Sequence, residues 1–406
     1  MRKMLKMSIA AAMVMGIGSV SAQADGINII SNVKANGELR LRYENVDQDN
    51  ALKNANAFTS RLRIGASADL LDTDWLSAYV EMTNVANLNS NYNATNGKDT
   101  AHSVVADPEQ TRLTQSYLDA KFGDTNLRFG RQQIKLDNVR FVGNVGWRQM
   151  FQTFDAVTLT NKSIENLDLF ASYITRVNAV KYEAKSSVRH LLVNVSYKVM
   201  PELKVTAYSY MLGTTHDTYG LALTGKVGIS DGVKLNYRAE YATQTDPTME
   251  NKGTDKDSVK VDSDYIRVDL GVNANGILAG IGYEVLGEDD EGGRGFNTPL
   301  ATLHAHNGWG DQFLKTPVGG LEDLSLMAGY KAKDFGTFKV VYHDYSSDAS
   351  STDYGTEINA VYTNKIPGVN GLTGLIKVAD FDADTDGGMT DTTKIWLSLG
   401  YKFASN

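Results

Sequence analysis

The stretch Gly37-Glu38-Leu39-Arg40-Leu41-Arg42-Tyr43-Glu44 decides the fold. Its odd positions are small, apolar or aromatic, and its even positions are charged. Successive side chains of a β-strand point to opposite faces, so this segment is a strand with one apolar and one charged side. The pattern recurs at Val233-Lys234-Leu235-Asn236-Tyr237-Arg238-Ala239-Glu240-Tyr241 and at Ser60-Arg61-Leu62-Arg63-Ile64. A single such strand would also suit a soluble sandwich, so the number and spacing of segments carry the argument. Candidate strands lie near 34–45, 57–68, 75–84, 111–122, 126–132, 153–161, 167–177, 187–198, 203–211, 217–227, 233–244, 263–273, 277–286, 321–331, 337–345, 354–363, 371–380 and 392–403. Their connections alternate between short (70–74, 123–125, 199–202, 228–232, 274–276) and long (85–110, 133–152, 245–262, 287–320). Short periplasmic turns alternating with longer outer loops are the signature of bacterial outer-membrane barrels. A sandwich needs fewer segments, and a repeat protein would show a fixed period, which is absent. The expectation is an all-β, transmembrane, antiparallel up-and-down β-barrel of about 18 strands. A barrel of that size leaves room for an aqueous channel.

The N-terminus agrees with export. Arg2, Lys3 and Lys6 precede a mostly apolar run from Met7 to about Val20, followed by Ala22-Gln23-Ala24 and Asp25. This is the pattern of a secretory signal peptide, predicted over 1–24 with cleavage after Ala24 and the barrel over 25–406. The apolar run is too short to span a bilayer as a helix. The expected location is the outer membrane of a Gram-negative cell, with lipid as the surrounding partner. The chain has no cysteine, which excludes disulfides and thiolate metal sites. The formal net charge of −8 argues against a nucleic-acid partner. Six prolines, 37 glycines and 20 tyrosines fit a chain that is mostly strand.

If the apolar set meets lipid, the charged set meets water. That places Glu38, Arg40, Arg42, Glu44, Arg61 and Arg63 on the lumenal side of the first two strands, with Arg128 on the same wall. Lys234, Arg238, Arg267, Lys339 and Lys377 fall across the barrel, with Glu81, Asp119, Glu240, Asp269 and Glu284 between them. Two readings of the arginines stand side by side. They attract anions and grip carboxylates bidentately, or they and the glutamates satisfy one another along the wall.

The terminal segment Lys394-Ile395-Trp396-Leu397-Ser398-Leu399-Gly400-Tyr401-Lys402-Phe403 alternates cleanly. It resembles the C-terminal signal read by the outer-membrane assembly machinery, an expected partner, although Ala404-Ser405-Asn406 follow the final aromatic.

A longer resemblance lies in Gly130-Arg131-Gln132, Arg140-Phe141-Val142-Gly143, Trp147-Arg148-Gln149 and Phe154-Asp155-Ala156-Val157. It continues in Pro299-Leu300-Ala301-Thr302-Leu303-His304 and Asn307-Gly308-Trp309-Gly310-Asp311-Gln312-Phe313. These motifs resemble the outer-membrane alginate-export family of porins. The resemblance implies an 18-stranded barrel that passes solutes passively, and it carries Arg131, Arg148 and Asp155 over as candidate pore-lining residues. Independently, Gly130 inside a strand marks a bulge or a close approach. The loop at 133–152 is long enough to fold inward or to cap the mouth.

Three further chemistries bear on the reading. Asp382, Asp384 and Asp386 alternate ahead of Gly387, the spacing of a calcium loop, but the twelfth position is Thr393 rather than Glu. A weak calcium site or a solvated acidic loop are the alternatives, and no other cofactor is expected. His304 and His306 lie two apart, yet zinc would need a third ligand. No nucleophile motif stands near any histidine, so the chain is not expected to be an enzyme. The leading expectation is a porin for small hydrophilic solutes, anions favoured. A dedicated exporter of an acidic polysaccharide such as alginate, and a structural or adhesive barrel, are the competing classes.

Overall fold

The computed structural model describes residues 23–24, 27–181, 185–249, 260–293 and 295–405. The expected signal segment lies outside these apart from Gln23–Ala24, which pairs with Ile27–Asn28 as a separate two-stranded sheet. The rest of the chain forms one closed antiparallel barrel. Its strands are β1 (Ile30–Gln48), β2 (Ala55–Leu70), β3 (Leu76–Asn87), β4 (Gln110–Phe122), β5 (Thr125–Gln132) and β6 (Thr153–Asn161). β7 (Leu167–Asn178), β8 (Lys185–Met200), β9 (Leu203–Leu212), β10 (Asp217–Ser230), β11 (Val233–Thr245) and β12 (Ser263–Ala274) follow. β13 (Ile277–Leu286), β14 (Leu321–Ala332), β15 (Gly336–Ser346), β16 (Asp353–Lys365), β17 (Leu372–Ala383) and β18 (Thr392–Ala404) complete the ring. Every strand matches an expected segment, and several run further at both ends, as Ile30–Gln48 does against 34–45.

The alternation sorts as expected on the outside. Leu39, Leu118, Phe129, Leu221, Ile266, Val268, Leu270, Ile281, Ile358, Leu397 and Leu399 are exposed and apolar, the surface a bilayer would cover. Near the ends with short turns, Trp75 stacks on Phe122 at 5.6 Å, and Phe335 sits between Tyr330 and Tyr362. Aromatics at that level form the interfacial girdle of a membrane barrel. Closure removes the two free edges that an open sheet would present.

β18 closes against β1 in regular register from Thr392↔Gln48 to Ala404↔Asn36. Phe403 faces Gly37, and its ring occupies the space a side chain there would take. Tyr401 stacks beside it at 6.0 Å. The residues beyond the aromatic extend the seam, for Ser405 donates its N–H to Ala35 O at 2.8 Å and accepts the Ala35 N–H on Oγ at 2.8 Å. Replacing Tyr401 and Phe403 together by Ser is expected to leave most of the chain in the periplasm, where proteases remove it. Unchanged levels in isolated outer membranes would remove these rings from any part in closing or targeting the barrel.

Candidate functional site: a constriction stitched by two inward loops

Two loops enter the lumen from opposite sides of the ring, residues 133–152 between β5 and β6 and residues 287–320 between β13 and β14. They join at the centre. Val142 and Leu300 form a parallel bridge, Gly143 N donates to Leu300 O at 2.8 Å, and Thr302 N donates to Val139 O at 3.0 Å. Thr302 Oγ1 accepts Val145 N at 3.0 Å. Gly143 is required by the closeness of this meeting. A Cβ there would collide with Thr302 Oγ1 and come within 2.9 Å of the Thr302 nitrogen.

Around the joint the lumen holds an apolar core. Phe141 packs on Tyr208, Tyr210, Tyr265 and Phe296, with ring centroids 5.2–6.1 Å apart. Phe313 of the second loop packs on Tyr345, Tyr354 and Phe381. The inward faces of the upper strands therefore do not simply meet water. Their aromatics are buried against the loops, and loop anchoring replaces solvation.

The basic wall predicted from the sequence exists. Arg40 and Arg61 face each other in register, as do Glu38 and Arg63. What the wall faces is the first loop. Arg40 Nε donates to Gln149 Oε1 at 2.8 Å, and its Nη atoms donate to the carbonyls of Gly146, Trp147 and Arg148. Arg61 reaches the Arg148 and Gln149 carbonyls and also pairs with Glu38. Arg63 bridges Glu38 at 3.4 Å and Glu81 at 2.6 Å. Arg128 makes a bidentate pair with Asp119, both bonds 2.7 Å, under Tyr117. The mutual-satisfaction reading thus holds for Arg61, Arg63 and Arg128. Arg42 differs: it is buried, stacks over Trp147 at 4.0 Å, and among the described residues its Nε and Nη1 have no hydrogen-bond partner.

Asp311 ties the two loops to the wall. Its Oδ2 accepts Arg148 Nη2 at 3.1 Å and Lys394 Nζ at 3.0 Å, and Oδ1 accepts His304 Nδ1 at 2.6 Å. Arg148 also pairs with Glu44 of β1 at 3.0 Å. Burial opposes the Asp311 charge, yet the hydrogen bond donated by His304 and the charges of Lys394 and Arg148 outweigh it and hold the carboxyl well below its ordinary range. Burial likewise opposes the Arg148 charge, and Glu44 and Asp311 hold its pKa above the ordinary value. Burial pushes His304 down to about 3, so the ring is neutral at pH 7. That fixes the tautomer: Nδ1–H donates to Asp311 and Nε2 accepts Lys377 Nζ at 2.8 Å. Lys377 sits among Trp147, Trp309 and Trp396, at 4.2, 3.8 and 5.3 Å from the ring centres.

On the far wall, Arg238 pairs with Glu240 at 2.7 Å, and Arg267 with Asp269 at 2.7 Å and Glu284 at 3.2 Å. Arg140 of the first loop reaches the same Glu284 at 2.8 Å and Asn307 of the second at 3.0 Å. Arg267 donates to Nδ1 of His306, whose pKa burial also drives down to about 3. Trp309 N and Gly310 N both donate to Glu357.

Arg131 and Asp155 are a correction. They pair with each other at 2.7 and 3.0 Å, but they share a strand side with the exposed Phe129 and Val157, opposite to Arg128. They clamp β5 to β6 on the outer surface and do not line the lumen. Gly130, at φ 128°, lets β5 lie close against β4, for a Cβ there would overlap the Ser116 carbonyl and lie 2.9 Å from Tyr117 Cα. The acidic triplet does not converge either. Asp382 is in β17, in register with Thr356, and Asp384 Oδ1 accepts the Asp386 N–H. Among the described residues no group of three His, Asp or Glu side chains is placed to hold a metal, and His304 and His306 point to different partners. Sequence reasoning gave Asp311 no role beyond its place in a family motif, and had no signal for Asp107, whose Oδ1 accepts Gln149 N at 2.6 Å from a third loop.

Solved barrels share this architecture. OccAB4 of Acinetobacter baumannii superposes with a TM-score of 0.72 at 15% identity, covering 93% of this chain and 99% of that one. OpdK of Pseudomonas aeruginosa, in a structure with vanillate, gives a TM-score of 0.73 at 12% identity, covering 92% and 99%. OpdO of the same species gives 0.72 at 14%, covering 93% and 98%. At these identities the likeness concerns the fold. No curated protein matches the chain in sequence. The family described as alginate export matches residues 26–246, more than half of the 406. With the two stitched loops and their motifs in the places described, the chain belongs to the alginate-export family of outer-membrane barrels.

Proposed function

We propose that this protein is a passive channel for small hydrophilic solutes across the outer membrane, with anions favoured over cations. The observation that carries the reading is the pair of joined loops inside a barrel wide enough for a channel. They narrow the lumen against the basic wall of Arg40 and Arg61. Arg42 is buried over Trp147 with Nε and Nη1 unpartnered among the described residues, so its charge bears on a passing oxyanion through its field rather than by contact. One structural neighbour holds vanillate, and a small organic anion of that kind suits this passage. The family's description favours a second reading, export of an acidic polysaccharide. The stitched loops lie across the path such a polymer would take, which supports small solutes instead. No catalytic step belongs to the proposal. Delivery by the outer-membrane assembly machinery does, through the terminal strand.

Reversal potentials in a potassium chloride gradient test it. Anion selectivity is expected, stronger at low salt because fixed charge is screened over about 10 Å at 0.1 M. Arg40→Gln with Arg42→Gln should move the potential toward cations. A wild-type pore that prefers cations, or a double variant that changes nothing at low salt, would show that these arginines do not set the field.

A further inference from the structure

Below the constriction the lumen opens into two chambers, one against β7 to β12 and the other against β12 to β17. One, of about 770 Å³, is roofed by Asn138 and His306 and lined by Lys198, Lys204 and Lys226 with Arg238 and Arg267. The other, of about 990 Å³, is lined by Lys331, Lys333 and Lys365. Both reach β12, through Asp269 and Asn273, so they are neighbours along one wall. The carboxylates facing them are Asp168, Glu202, Asp269 and Asp334. Asp269 is paired with Arg267 and Asp168 with Lys162. Among the described residues, Lys198, Lys226, Lys331, Lys333 and Lys365 make no ion pair. The opposite end of the barrel carries exposed carboxylates, including Asp49, Asp99, Glu288, Asp290, Glu291 and Asp384.

We infer that this periplasmic vestibule is a binding site for small multivalent oxyanions, and that the uneven charge along the axis makes conduction asymmetric. The second half rests on the channel reading; the first does not. Unpaired ammonium groups on flexible stems around a chamber act as separated point charges, which favours an anion bearing several charges at once. A cleft lined by an excess of one sign of charge concentrates counter-ions from solution. Anions therefore collect at the periplasmic end and cations at the outer mouth. A potential positive on the outer side drives both toward the middle and raises conductance, and the reverse polarity depletes the middle.

The test has two readouts. Folded protein in neutral detergent is titrated with pyranine, a pyrene trisulfonate, by fluorescence anisotropy, with inorganic pyrophosphate as competitor. Binding should weaken about tenfold between roughly 0.05 and 0.3 M salt, as screening shortens the reach of the charges. Pyrophosphate should displace the dye. The combined substitution Lys198→Gln, Lys226→Gln, Lys331→Gln, Lys333→Gln and Lys365→Gln should abolish binding, and the matching Lys→Arg set should keep it. In oriented bilayers the wild type should conduct better with the outer side positive, and the Gln set should lose that asymmetry. Dye binding that survives the Gln set overturns the site, and symmetric currents at low salt overturn the asymmetry. Protein that binds the dye but passes no current would sink the channel reading and leave the site standing.

Discussion

Asp311→Ala is expected to turn a narrow channel into a wide one. The carboxylate is buried and accepts from Arg148, Lys394 and His304, which belong to the first loop, the wall and the second loop. Removing one member of a buried ionic cluster leaves the others uncompensated, at a cost on the order of 3–5 kcal/mol. The barrel itself does not bear that cost, because its strands are held by a closed ladder of backbone hydrogen bonds. The loops are the part that can move, so the cost should appear as their release. Single-channel conductance should rise several-fold, and liposome swelling should extend to larger neutral sugars that the wild type excludes. An unchanged size limit would mean that the aromatic packing of Phe141 and Phe313 holds the loops without Asp311.

Gly143→Leu should act in the same direction by a different force. Its side chain would have to occupy the place of Thr302 Oγ1 and press on the Thr302 backbone, parting the bridge between Val142 and Leu300. Overpacking of this kind costs about 1–3 kcal/mol when neighbours can shift. Here the neighbour is backbone, so the upper part of that range is expected. Trypsin added to intact cells should then cut at Arg140 or Arg148, which the wild type shields. Gly228→Leu serves as the control, since nothing lies within 4 Å of a Cβ at that position. Combined with Asp311→Ala, the effect should be less than additive, because both changes release the same two loops. Continued protection of both arginines in the Gly143 variant would place the joint elsewhere.

The wall of this protein was legible in its sequence because a membrane imposes a strict rule on it. Leu39, Leu41 and Tyr43 must face outward, so alternation had to be regular there, and the seam of Tyr401 and Phe403 with β1 follows from the same rule. The contents were less legible. Arg40 and Arg61 were placed on the right face, but their partners are carbonyls from more than 80 positions away in the chain, as the Arg61 to Arg148 contact shows. No local pattern encodes such a contact. Arg131 and Asp155 misled because a family motif was read as lumenal, whereas their parity with Phe129 and Val157 already put them on the other side. Asp382, Asp384 and Asp386 misled because alternate acids suit an exposed strand end as well as a cation loop.

The meeting of the two loops also sets an order of events in assembly. Residues 133–152 leave the ring after β5 and residues 287–320 leave it after β13, so their roots lie eight strands apart of eighteen. In a flat, unclosed sheet those roots would stand roughly 40 Å from each other, at about 4.8 Å per strand. Leu300 reaches Gly143 only once the sheet has curled, so the joint can form only late in closure. Three of the four tryptophans, Trp147, Trp309 and Trp396, come together around Lys377 at that moment, and Trp75 stays at the rim. The protein carries its own timer: indole emission during refolding into vesicles marks the curling of the wall, and its final change dates the sealing of the pore's interior.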